Sequence, residues 1–139
     1  MTTRIIAVTR TDLQRLEQFL DSELMLVMGG QRPHLKALRE KLQRATVVES
    51  PEMLPDIVTM NSTIYLHDLD RGEPDIYTLV YPDEACIAEG KLSIFSPLGA
   101  EIFGRRVGET LQFQVGERDS HKRIDKLSFQ PERVGAFNL

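Results

Sequence analysis

Tryptophan is absent from this 139-residue chain, and three tyrosines and six phenylalanines make up all of its aromatics. So few rings leave little material for a deep aromatic pocket. The single cysteine, Cys86, excludes an internal disulfide and fits a reducing, cytoplasmic setting. No histidine adjoins it, so it reads as an ordinary loop or half-buried thiol. No run of 18 apolar residues is present to cross a membrane, and "MTTRIIAVTRTD" lacks the pattern of a signal peptide. His34, His67 and His121 stand in unrelated segments without paired metal-ligand spacing. His67 precedes Asp68, but neighbouring residues of a strand point to opposite faces. "GGQRPH" lacks the Lys-Ser/Thr of a phosphate loop. These absences predict no cofactor, no metal site and no enzyme activity; a kinase is unsupported.

Positive charge is also scarce. The net charge is −4, divided as +3 over residues 1–45 and −7 over 46–139. An acidic main body repels phosphate backbones, so independent nucleic-acid binding is not expected and a protein partner is.

What is present divides in two. Residues 11–28 predict a helix: Thr11 and Gln14 can form a capping box, and Leu13, Leu16, Leu20 and Leu24 follow helical spacing. Gly29-Gly30 stops it. A second helix starts near Pro33, with Leu35, Leu38, Leu42 and Ala45 as its stripe. Two stripes joined by a short glycine-containing turn make an antiparallel helical hairpin over 1–49, with Gly29, Gly30, Gln31 and Arg32 at its tip. Asp12, Glu17, Asp21 and Glu23 lie on the first arm; Arg32, Lys36, Arg39, Lys41 and Arg44 lie on the second. The opposed signs suit pairing across the hairpin better than a phosphate-binding face. "VVESPEMLPD" (47–56), with its two prolines, predicts an extended linker.

Residues 50–139 read as strands. "IVTMNSTIYLHDL" (57–69) and "PDIYTLVY" (74–81) flank a turn at Gly72 and should pair. "KLSIF" (91–95) is a third strand. Ser96 caps a short helix begun by Pro97, with Leu98, Ile102 and Phe103 turned inward and Gly104 ending it. "TLQFQV" (110–115) alternates, and "KRIDKLSFQ" (122–130) closes the set with Ile124, Leu127 and Phe129 toward the core. The prediction is an α+β chain: a hairpin, then an antiparallel sheet of about five strands with one short helix.

"HDLDRGEPDIYTLVYPDEA", "EGKLSIFSPLGAEIFGRRVGE" and the closing strand resemble the C-terminal domain of the GreA/GreB transcription elongation factors. That domain is FKBP-like, and the hairpin corresponds to the Gre coiled coil. Within the superfamily, "SPEMLPDIVTMNS", "TLVYP" and "QPERVGAF" look most like the Rnk regulators of nucleoside diphosphate kinase. The resemblance implies a monomeric, cytoplasmic partner of bacterial RNA polymerase that docks at the rim of the secondary channel. It implies contact through the strand–Ser-Pro–helix corner, here Phe95, Ser96, Pro97 and Leu98; Gre factors often carry Asp or Asn where this chain has Phe95. Gre hairpins bring acidic tips to the catalytic Mg²⁺, which takes oxygen ligands. This hairpin is about half as long. Its tip, "LVMGGQRPH", has no carboxylate, and Asp21 and Glu23 stand back from it, so transcript cleavage is not expected. An FKBP-like fold raises prolyl isomerase as an alternative, against which the missing tryptophan counts; a general interaction module is another.

Overall fold

The computed structural model describes residues 6–22, 33–115 and 117–136. Among the described residues, three α-helices and a mostly antiparallel sheet make an α+β protein. β1 (Ala7–Thr9) leads into α1 (Arg10–Leu20), and α2 (Pro33–Arg44) leads into β2 (Thr46–Val48). β1 and β2 pair in parallel, Val8 opposite Val47. This small sheet ties the two ends of the hairpin together and takes in the first residues of the predicted linker. The rest of that linker is also ordered. Ser50–Glu52 forms a 3₁₀ turn, and the fully buried Gln130 donates through Nε2 to the carbonyls of Leu54 and Ile57, both at 2.7 Å.

α1 departs from expectation at both ends. Thr9, not Thr11, is the cap, its Oγ1 accepting from the Asp12 amide at 3.1 Å. The helix stops at Leu20 rather than running to residue 28; Asp21 is its C-cap, and Ser22 donates back to the Phe19 carbonyl. Arg39 of α2 donates to the Leu20 carbonyl at 2.9 Å and to Asp21 at 3.2 Å. Cross-hairpin charge pairing is thus realised at the exposed end of α1, where a cation suits unpaired carbonyls. Leu24, Glu23 and the tip residues Gly29, Gly30, Gln31 and Arg32 lie outside the described residues.

The main sheet contains β3 (Thr63–Asp68), β4 (Glu73–Val80), β5 (Lys91–Ser93), β6 (Thr110–Val115) and β7 (Arg118–Phe129), in the order β5-β4-β3-β7-β6. β3 and β4 form the expected hairpin, Tyr65 opposite Ile76. β3 begins at Thr63, later than residue 57, because Ile57 instead bridges to Arg106 and Val58 exchanges backbone bonds with Gly104 and Arg105. β5 is parallel to β4, a correction to the all-antiparallel expectation: the excursion through residues 82–90 carries the chain back to the start of the strand pair rather than reversing it. β7 starts at Arg118, earlier than residue 122, and its register against β3 shifts twice, leaving Asp125 and Ser128 unopposed as bulges. Ile124 and Leu127 are buried, whereas Phe129 is half-exposed opposite Thr63.

One apolar core serves hairpin and sheet together. Leu16 and Leu20 of α1 and Leu35, Leu38 and Leu42 of α2 join Val58, Met60, Ile64, Leu66 and Leu79. The third helix, α3 (Pro97–Ile102), adds Leu98, Ala100 and Ile102, with Phe103 directly after it.

Candidate functional site

The predicted corner forms at the end of β5. Ser96 Oγ donates to the Ser93 carbonyl at 2.6 Å and accepts from the Gly99 amide at 3.1 Å, so one hydroxyl closes the turn and caps α3. Pro97 occupies the first turn, where its missing N–H costs nothing. Gly99 is required by space: a Cβ there would lie 2.1 Å from the Ser93 carbonyl oxygen. The four predicted contact residues divide by exposure. Pro97 is exposed, Phe95 and Ser96 are half-buried, and Leu98 is 8% exposed and belongs to the core. The surface of this corner therefore consists of Pro97 and the edges of Phe95 and Ser96, with Leu98 beneath them as support.

The hairpin holds the corner from behind. His34 Nε2 lies 2.8 Å from the Phe95 carbonyl oxygen. The Lys41 ammonium donates to the carbonyls of Ala100, Glu101 and Phe103 at 3.0, 3.3 and 3.0 Å, neutralising the negative end of α3. Phe95 meets Phe19 of α1 edge-on at 6.4 Å, and Phe19 stacks on Tyr81 at 5.5 Å.

Tyr81 leads to a residue that sequence patterning did not single out. Asp12 is 1% exposed; its Oδ1 accepts from the Tyr81 hydroxyl at 3.1 Å and its Oδ2 from the Met60 amide at 3.2 Å. Burial, and then the charge of Glu132, push its carboxyl up to about 7. Burial and the Asp12 carboxylate likewise push the Tyr81 phenol up. The signal in the sequence is an acid on the apolar side of α1, four residues before Leu16.

A second polar cluster closes the β3–β4 turn. Asp68 accepts from the amides of Asp70 and Arg71, from the Arg71 guanidinium at 2.9 Å and from the Lys122 ammonium at 3.2 Å. The Arg71 amide and side chain hold its carboxyl well below the usual range. Burial pulls the Lys122 ammonium down, but the Asp75 and Asp68 carboxylates outweigh it and hold it above its ordinary value. Every charge there is answered, which makes the cluster architectural. His67, His121 and Cys86 do not converge, and among the described residues no three His, Cys, Asp or Glu side chains gather as a metal site. A cleft of about 270 Å³ is lined by Ile6, Leu54, Ile57 and Arg106 among others, without an aromatic ring. Among the described residues no helix is long and apolar enough to cross a membrane.

Comparison with known proteins agrees with this layout. Residues 53–128 match the family described as "Transcription elongation factor, GreA/GreB, C-term", and residues 4–48 match "Rnk N-terminus". The chain belongs to the GreA/GreB transcription elongation factor family, in the two-part form of the Rnk regulators. It is 32% identical over 135 residues to the regulator of nucleoside diphosphate kinase of Escherichia coli (strain K12), covering 96% of each chain. It is 37% identical over 92 residues to transcription elongation factor GreA of Chlorobium phaeobacteroides (strain DSM 266 / SMG 266 / 2430), covering 66% of this chain and 58% of the relative. The solved structure of the prokaryotic transcription elongation factor GreA/GreB from Nitrosomonas europaea superposes with a TM-score of 0.76 at 29% identity, covering 91% of this chain and all of that one. These relatives are named as a regulator and as transcription factors, not as enzymes.

Proposed function

We propose that this chain is a transcription regulator that binds bacterial RNA polymerase at the rim of the secondary channel and competes with Gre factors without stimulating transcript cleavage. The observation that carries this reading is the match of residues 53–128 to the Gre C-terminal domain, with the Ser96–Pro97 corner inside it. In this reading the chain divides into a hairpin, residues 1–49, behaving as a short coiled coil, and an FKBP-like docking domain, residues 50–139. It acts in the cytoplasm as a monomer and meets DNA or RNA only within the polymerase complex.

The absence of cleavage follows from reach and chemistry. Among the described residues, α1 and α2 have 11 and 12 residues, about 17–18 Å of helix each at 1.5 Å per residue. Residues 26–34 bring no carboxylate to the tip, and a hard cation requires oxygen ligands within about 2.0–2.6 Å. Asp21 is engaged with Arg39.

A stalled, backtracked elongation complex tests the reading. Rising concentrations of the protein should leave the transcript uncut and suppress cutting by an added Gre factor. Transcript shortening by this protein alone defeats the argument from the hairpin. An unaffected Gre factor, at concentrations where binding is established, defeats the shared site. Combining Ser96→Asp with Pro97→Ala should weaken polymerase binding by about 1–3 kcal/mol if the corner is a central contact.

A further inference from the structure

Asp12 sits where the hairpin meets the sheet, and the elements around it bring unlike charges. Its own helix contributes Arg15, whose guanidinium carbon lies 5.9 Å from the Tyr81 ring centre. The residue just after β4 contributes the Tyr81 phenol, and the segment before β3 contributes the Met60 amide. The turn after β7 contributes Glu132, which accepts from Thr59 Oγ1 at 2.6 Å and repels a second negative charge nearby. Thr59 and Ser62 share a hydroxyl bond at 2.9 Å, so the residue before Met60 is held to Glu132 while Met60 is held to Asp12. An ionised carboxylate here has two donors at 3.1 and 3.2 Å and faces an acid. A protonated carboxyl keeps the Met60 bond and can donate to the Tyr81 oxygen, without burying a charge.

We propose that the Asp12–Tyr81–Met60 contact is a proton-operated clasp: the hairpin sits tightly on the sheet while the Asp12 carboxyl is protonated, and the seat loosens as that carboxyl ionises. An opened seam returns Asp12 to water, where an aspartate titrates near 3.9, whereas in the closed seam it titrates at about 7. The closed form is therefore favoured fully below the open-state value. That advantage is lost as pH rises toward the closed-state value, and nothing further is lost above it. The opening equilibrium rises about tenfold per pH unit within this window. Neutral pH lies at its upper end, so small changes in proton activity alter how firmly the hairpin is held.

Two measurements on the full chain test this. The Asp12 side-chain carboxyl carbon, followed by NMR, should titrate with a midpoint near neutrality. Glu132→Gln, removing the repelling charge, should lower that midpoint, and Tyr81→Phe, removing a donor to the charged form, should raise it. Hydrogen exchange of the Met60 amide, corrected for intrinsic rates, should lose protection steadily from pH 5 to 7 and then level off. Asp12→Asn should abolish that slope. A midpoint in the ordinary aspartate range overturns the proposal, as does Met60 protection that stays flat across the window. If Asp12→Asn fails to fold, the opposed shifts of the Glu132 and Tyr81 variants still decide, since a solvent-exposed Asp12 would respond to neither.

Discussion

The hairpin seam and the β3–β4 turn each bury an aspartate, and they treat it in opposite ways. Asp68 is provided with four donors by the turn it opens and by the strand beside it, and its carboxyl is held low. Asp12 draws its two donors from elements 48 and 69 residues away, and its carboxyl is pushed up. The sheet answers its charges within itself. The hairpin depends on distant segments both for the donors to its buried acid and for the apolar surface that Leu16, Leu20, Leu35, Leu38 and Leu42 cover. Helices of 11 and 12 residues are marginal in isolation, so the dependence runs mostly one way.

Truncation tests that asymmetry most severely. Residues 1–49 alone should give a largely unfolded far-ultraviolet circular dichroism spectrum. Residues 50–139 should keep their sheet signal but melt far below the full chain. A helical isolated hairpin would break the comparison, and so would an unfolded sheet fragment.

The next largest effect is the pH profile of the whole protein. Asp12 removes stability as pH rises from about 4 to its closed-state value near 7, an effect of up to about 4 kcal/mol at 1.36 kcal/mol per unit. Asp68 acts in the reverse sense. Its contribution is present above the ordinary aspartate value near 3.9 and is lost as pH falls through its lowered one. Urea midpoints across the range should therefore peak near the ordinary aspartate value of about 4 and decline on both sides; a profile rising to neutrality would contradict the account of the seam.

Leu38→Ala, at a position 1% exposed within the shared core, should cost about 2–4 kcal/mol. The same variant should speed exchange at the Met60 amide, because it loosens the seam. Smallest is Ser96→Ala, which removes the cap of α3 and should cost about 1 kcal/mol by urea unfolding. Its effect should stay near the corner and leave the Asp12 titration in place.

Local features of this fold were legible in the sequence. The β3–β4 hairpin, the leucine stripes and the Ser96–Pro97 helix start each arise from residues within a few positions of one another. Pairings between remote short segments were not. β1 and β2 have three residues each, too few to show a period, and they meet across 39 positions. β5 is equally short, so nothing in Lys91–Ser93 distinguishes a parallel partner from an antiparallel one. The true cap, Thr9, was hidden because Thr11 stands in the same neighbourhood and also has a plausible partner. At the candidate site, the capped corner and the inward turn of Leu98 were readable, but the seat of α2 behind them, with His34 at the Phe95 carbonyl, was not, since it joins residues 61 positions apart. Asp12 was grouped with the first arm's pairing acids rather than read as a buried one, because an acid in the first turn of a helix ordinarily faces water and favours the helix dipole.

The grip of α2 on α3 has a mechanical consequence. His34 holds the carbonyl just before α3, and Lys41, two turns further along α2, holds the carbonyls at its far end. Two anchor points on one rod fix direction as well as position. A sideways load on the hairpin is therefore delivered as torque to the Pro97 corner, and a corner seated against a partner aims the hairpin in turn. α2 and α3 are tied together as a single crank, so the angle between the hairpin and the Pro97 corner is set inside this chain.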